Sequence, residues 1–210
     1  SGSGQESQIT AQVPQFPMPL SFSIASARME LKGPALPKAE AQPFSVNFEM
    51  ERVAIDPQIW QMFDPNSALN QAPASLKLAL NGTLIVQDPA TLEAAPQGSP
   101  EAAMPVPMRP VEANLEAFDL SLLGASLTSN GQFTFGDNPT QPEGVLNLRL
   151  EGGNAVLDSL VSAGLVPSEQ LMGLKMMLGL FAVPAGDDVL TSKIETKADG
   201  SVLANGQRIK

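Results

Sequence analysis

Apolar residues fall on alternate positions in burst after burst along this chain. A chain so patterned folds as strands that each offer one face to a core. Leu20, Phe22 and Ile24 form one set, with Ser21, Ser23 and Ala25 between them, and Phe44, Val46 and Phe48 form another. Leu76, Leu78 and Leu80 open a run that reaches Val86, while Leu146, Leu148 and Leu150 mark a strand over Val145 to Leu150. Turn residues separate the runs, as at Lys32-Gly33-Pro34 through Pro37-Lys38. Leu115 to Leu123 and Ser126 to Phe135 read as a hairpin around Gly124-Ala125. Leu190 to Thr196 and Val202 to Ile209 read as a second, around Asp199-Gly200. Asn81-Gly82 and Asn205-Gly206 lie inside two of these runs, and each predicts a tight turn or a bulge.

Three segments carry helical signals. Asp56-Pro57 supplies an N-cap and a proline preorganised for the first helical position, predicting a short helix with Ile59, Trp60, Met62 and Phe63 that stops at Asp64-Pro65. Gly152-Gly153-Asn154 breaks a strand and caps a helix from about Ala155 to Ala163, with Val156, Leu157, Leu160 and Val161 on one stripe and Gly164 at its end. After Pro167, Leu171, Met172, Leu174, Met176, Met177, Leu178, Leu180 and Phe181 leave little room for a polar face. Such a helix is buried on most sides or touches something apolar. The stretch from Asp88 to Pro110 is rich in proline and alanine and reads as a long loop inserted in one sheet. Residues 1–4, Ser-Gly-Ser-Gly, read as a tag or linker scar, so residues 5–210 form a single β-rich domain.

The chain has no histidine, cysteine or tyrosine among its 210 residues. Those side chains supply most general acid–base chemistry near neutral pH, most transition-metal ligation and every thiol nucleophile. Gly152-Gly153-Asn154 lacks the spacing of a phosphate loop and reads as helix capping. Asp187-Asp188 lacks the further oxygen ligands of a calcium loop and reads as solvated. Ser159, Ser162 and Ser168 have no base partner apart from a remote dyad with Lys175. The expectation is therefore no enzyme, no cofactor and no metal. Twenty-two acidic residues against 12 basic ones give a net charge of -10, which opposes nucleic acid and anionic lipid as partners. The longest apolar run, Leu171 to Val183, is too short for a membrane span and contains Lys175.

Several stretches together resemble the bacterial family catalogued as domain of unknown function 2125. They are Gln12-Val-Pro-Gln-Phe-Pro17, Trp60-Gln-Met-Phe-Asp-Pro65, Leu150 to Asp158, Pro167 to Gly173, Met176 to Ala182, Leu190 to Glu195 and Leu203 to Ile209. The resemblance implies an alphaproteobacterial envelope protein in the periplasm, of which this chain is a C-terminal portion attached to the inner membrane through an upstream segment. It implies no activity. More loosely, the strand pairs ending in Asn-Gly or Asp-Gly are similar to AsmA-type envelope proteins, whose curled sheets form an apolar groove associated with lipid handling. The two consecutive helices depart from that pattern.

These readings combine into an α+β fold: an extended, twisted, mainly antiparallel sheet, curled like a groove, with two consecutive C-terminal helices on its concave face and a short Trp-bearing helix. The expected function is to hold an apolar ligand or lipid beneath the Met-rich helix. The candidate residues are Leu171, Met172, Met176, Met177, Leu180 and Phe181, with Trp60 and Phe63 as a second apolar cluster. The alternative is a structural module that binds another envelope protein through a sheet edge or the Pro-rich loop.

Overall fold

The computed structural model describes residues 7–11, 20–87, 108–136 and 138–210. The loop expected over 88–110 therefore lies outside the described residues, save for its last three, which belong to a strand, and so does the Ser-Gly-Ser-Gly start. Eleven strands form one sheet: β1 (Ser7–Ala11), β2 (Leu20–Lys32), β3 (Gln42–Ile55), β4 (Ala74–Val86), β5 (Met108–Leu122), β6 (Ala125–Thr134), β7 (Glu143–Glu151), β8 (Val183–Gly186), β9 (Val189–Thr196), β10 (Val202–Ala204) and β11 (Gln207–Arg208). Each strand pairs antiparallel with its neighbour in chain order, except that β7 pairs with β9 and β8 pairs with β9 alone. The helix α1 (Pro57–Phe63) lies in the β3–β4 connection, and α2 (Gly153–Ser162) and α3 (Ser168–Phe181) together lie in the β7–β8 connection.

Register keeps the alternating leucines on one face. Leu31, Val46, Leu80, Leu115, Gly131, Leu146, Ile194 and Ala204 form one continuous row across eight strands. Met29, Phe48, Leu78, Phe118, Ser129, Leu148 and Ser192 form the next. Met50, Leu76, Leu120, Leu127, Leu150, Leu190 and Pro184 form a third. The other face is polar, and along Arg28, Glu49, Lys77 and Asp119 its charges alternate in sign from strand to strand. Opposite charges on facing residues stabilise a pair that like charges would open. Keeping both patterns requires extra residues where neighbouring strands fall out of step. The register slips between Met50 and Val53, where Arg52 takes a left-handed φ of 49°, and again between Leu115 and Phe118.

Asn81-Gly82 forms neither turn nor bulge. β4 runs straight through it with Phe44 opposite Gly82, and the slips against β5 fall on either side, at Ala79/Leu80 and Thr83/Leu84. A Cβ on Gly82 would strike the Glu112 carbonyl of the next strand, so the glycine permits a close backbone approach. Gly144 does the same opposite Phe133, where a Cβ would meet the Gln132 carbonyl and the Phe133 ring. Asn205-Gly206 is the β10–β11 turn.

Few side chains are fully enclosed. Among the described residues the buried apolar ones are Ile59, Leu69, Val86 and Ala204. Ile59 and Leu69 belong to the α1 region. There Asp56 caps the helix by accepting from the Gln58 amide at 2.8 Å, and buried Asp64 accepts from the Ala68 and Leu69 amides at 2.8 Å each. The apolar rows of β2 to β5 remain half-buried or exposed, with Met29 64% and Leu31 61% exposed.

α2 starts two residues earlier than its sequence pattern suggests, after Gly152 in the left-handed region, and its cap comes from elsewhere. Asp188, read above as part of a solvated loop, is half-buried and accepts from the Asn154 amide, the Asn154 side chain and the Ala155 amide at 2.8, 2.8 and 2.9 Å. The adjacent Asp187 is exposed, as expected. Partial burial of Asp188 acts to raise its pKa, but the two backbone donors, the Asn154 amide and the positive charge of Lys175 outweigh it and hold the carboxyl below the usual aspartate value. Stability from this cap is present above the ordinary aspartate pKa and lost as pH falls through the lowered folded-state value. Asp188→Ala removes the cap and also puts alanine at a left-handed φ of 47° that aspartate tolerates better, so it should lower stability at pH 7 by about 1–2 kcal/mol, and the gap to wild type should narrow in strong acid without closing. Thermal melts of both proteins across pH check this. In the same assay Gly144→Ala should destabilise, whereas Gly179→Ala, where an added Cβ meets nothing within 4 Å, should stabilise α3 by about 1 kcal/mol.

Candidate functional site

The apolar rows are roofed where β6, β7 and β9 pass beneath α2 and α3. Between sheet and helices lies a cleft of about 440 Å³. Its floor is Leu127 from β6, Leu148 and Leu150 from β7, and Leu190, Ser192 and Ile194 from β9. Its roof is Leu157 of α2 with Leu174, Met177, Leu178 and Phe181 of α3. The floor follows from the period of two, which sets these strand residues on one face. The roof follows from the i, i+3, i+4, i+7 spacing of Leu174, Met177, Leu178 and Phe181, which puts them on one helical stripe. The one hydroxyl in the lining is already engaged, since Ser192 donates to the Phe181 carbonyl. Phe181 O also accepts from Asn205 Nδ2 at 3.0 Å, so a β9 residue and a residue of the β10–β11 turn satisfy a carbonyl at the end of α3 and fix the roof to the sheet. Lys175 bonds Asp158 at 2.7 Å and joins the two helices outside the cleft. The cleft thus offers no charge and no free polar group, only hydrocarbon and a thioether.

Of the residues singled out from sequence, Met177 and Phe181 line the cleft. Leu171 is half-buried and outside it. Met172, Met176 and Leu180 recur every four residues on the far side of α3, at 72%, 69% and 66% exposed. The helix therefore shows apolar side chains on two sides, one toward the cleft and one toward solvent. Trp60 is half-buried and Phe63 exposed on α1, and neither lines the cleft. Sequence reasoning singled out methionines and passed over Leu174, Leu178, Leu157 and the strand leucines. The spacing of Leu174 and Leu178 with Met177 and Phe181 was the available signal.

A larger groove, of about 1150 Å³, is walled by Asn81, Asn114, Asn130, Gln132, Asn147, Glu112, Glu116 and Glu143 among others. Several of its amides satisfy one another or a neighbour: Asn147 donates to Asn130 at 3.1 Å, and Asn81 donates to Glu116 at 2.5 Å. Its walls belong largely to the solvated face of the sheet, so size alone does not make it the better site. Among the described residues no three acidic side chains converge to hold a metal ion, and no helix is long and apolar enough to cross a membrane.

No curated protein and no solved structure matches the chain. Residues 3–199 match the family described as "Uncharacterized protein conserved in bacteria (DUF2125)", a match that takes in every stretch that pointed to it in the sequence except Leu203 to Ile209, and the chain belongs to that family.

Proposed function

We propose that this protein is a non-enzymatic component of the bacterial envelope, lying in the periplasm, that binds an apolar ligand or lipid chain between its curled sheet and its Met-rich helix. The observation that carries this reading is the cleft itself. Its lining is leucine, isoleucine, methionine and phenylalanine from five elements, and its single hydroxyl is already bonded. Transfer of hydrocarbon from water into such a site contributes about 0.8 kcal/mol per methylene, with no polar partner needed along the chain. Met177 and Phe181 line the cleft yet remain 57% and 39% exposed, so they mark its mouth. Flexible thioethers there adapt to ligands of different shape. The exposed stripe of Met172, Met176 and Leu180 on the far side of the same helix suits contact with the apolar surface from which such a ligand is drawn.

Titration with a fatty acid whose fluorescence rises in apolar surroundings tests the reading. Leu174→Trp, which fills the cleft, should weaken binding by about tenfold or more, while Met172→Ser on the far side should leave this affinity unchanged. Native mass spectrometry of protein purified from its own envelope should show copurified lipid that Leu174→Trp removes. No probe binding and no copurified lipid, or binding indifferent to Leu174→Trp, would overturn the proposal.

A further inference from the structure

A lipid chain in the cleft also brings a polar end, and the charges around the roof decide which sign that end can carry. All 12 Lys and Arg of the sequence lie among the described residues. Of the elements that bound the cleft, β6 and α2 carry none, β7 carries Arg149, β9 carries Lys193 and α3 carries Lys175. Arg149 falls between the floor residues Leu148 and Leu150, and Lys193 between Ser192 and Ile194, so both stand on the opposite face of the sheet. There they pair with Glu151 at 2.7 Å and Glu195 at 3.2 Å. Lys175 is the one cation of the roof, and its ammonium lies 2.7 Å from Asp158 Oδ1. Its charge also acts on the Asp188 carboxylate. Against this single ammonium, the roof helices and the β8–β9 turn that caps α2 carry Asp158, Glu169, Asp187 and Asp188.

We infer that the occupant of the cleft is a single-chain lipid with an uncharged polar end, an alcohol or an ester, taken in preference to one that ends in a carboxylate or a phosphate. The inference rests on the cleft being the binding site proposed above and names the class of its ligand. The volume of about 440 Å³ sets the number of chains. A methylene is close to water in size, at about 30 Å³, so the cleft holds about fifteen such groups, which is one long hydrocarbon chain. The charges set the end group. An anionic end drawn to the mouth loses part of its hydration, which is costly unless a cation replaces the water. The only cation on this side is already engaged by Asp158, and the surrounding carboxylates add like-charge repulsion. A hydroxyl or an ester meets neither cost. At the mouth, where Met177 and Phe181 are partly exposed, it keeps its hydrogen bonds to water.

Competition against the fluorescent fatty acid by 1-dodecanol and by dodecanoate, whose chains are equal in length, tests the end group. At pH 8, where the carboxylate is ionised, 1-dodecanol should displace the probe at about one tenth of the concentration that dodecanoate needs. Two variants tie this preference to the charges of the roof. Asp158→Asn releases Lys175 and removes one carboxylate, so it should improve dodecanoate by about threefold or more and leave 1-dodecanol unchanged. Lys175→Gln should leave both competitors within about twofold to threefold, because that ammonium is already spent on Asp158. Retained displacement by 1-dodecanol shows that the cleft is intact in each variant, and the comparison of the two chains on the wild-type protein stands without them. Dodecanoate that competes as well as 1-dodecanol would overturn the inference. So would a loss of about tenfold for dodecanoate alone in Lys175→Gln, which would mean that Lys175 leaves Asp158 to hold an anionic end. Either result leaves the cleft standing as a site. Failure of the fluorescent fatty acid to bind, or binding indifferent to Leu174→Trp, removes the cleft and this inference together.

Discussion

Antiparallel register that keeps to one face through its local slips, in a single-layer sheet, is the constraint on which the rest of the molecule depends. Because facing residues share a side, three largely apolar rows, broken at Gly131, Ser129 and Ser192, run across the strands and a polar, charge-alternating surface runs behind them. A sheet with one apolar face normally lays it against a second layer. Here α2 and α3 roof β6, β7 and β9, and over β2 to β5 the same rows stay half-buried or exposed. The short list of enclosed side chains is a consequence: stability rests on long hydrogen-bonded ladders and partly covered leucine rows, with no thick core.

The roof obeys a different constraint. A helix that docks with one stripe ordinarily turns polar residues outward, whereas α3 carries Leu174, Leu178 and Phe181 on one side and Met172, Met176 and Leu180 on the other. Its charge is confined to Glu169 near the start and Lys175, which is tied to Asp158. Two glycines, Gly173 and Gly179, meet nothing within 4 Å and lower the helix propensity without any packing gain. The helix is held mainly through its end, where Ser192 and Asn205 share the Phe181 carbonyl, and through Lys175. The last turn of α3 is thus fixed to the sheet, while its two glycines are the weak points of a helix otherwise built from strong helix formers.

Much of the sheet was legible in the sequence because a period of two is local information. The runs at Phe44 to Phe48, Leu76 to Leu80 and Leu146 to Leu150 each became a strand, Asp56-Pro57 started α1 and Pro167 preceded α3. Features set by a neighbouring strand were not legible. Asn81-Gly82 reads as a break until Phe44 is seen opposite the glycine. The slip at Arg52 depends on β4. Asp188 reads as solvent-facing because the amides it caps lie more than thirty residues earlier in the chain. The candidate site was half legible for a related reason. When a helix is apolar on two sides, periodicity says that both sides matter and cannot say which one meets the sheet. Composition favoured the methionines, and most of them face outward.

The absence of histidine, cysteine and tyrosine fits this architecture on physical grounds. A one-layer sheet buries little, and groups that acquire shifted pKa values generally do so through burial or tight charge pairing. Among the described residues the aspartates with a displaced pKa, Asp188 and Asp199, both owe the lowering to hydrogen bonds that order local structure: Asp188 caps a helix, and Asp199 accepts from the Ser201 hydroxyl and amide at a turn. Neither faces the cleft. These two carboxylates therefore shape a helix end and a turn, while the space beneath the helices is left to hydrocarbon.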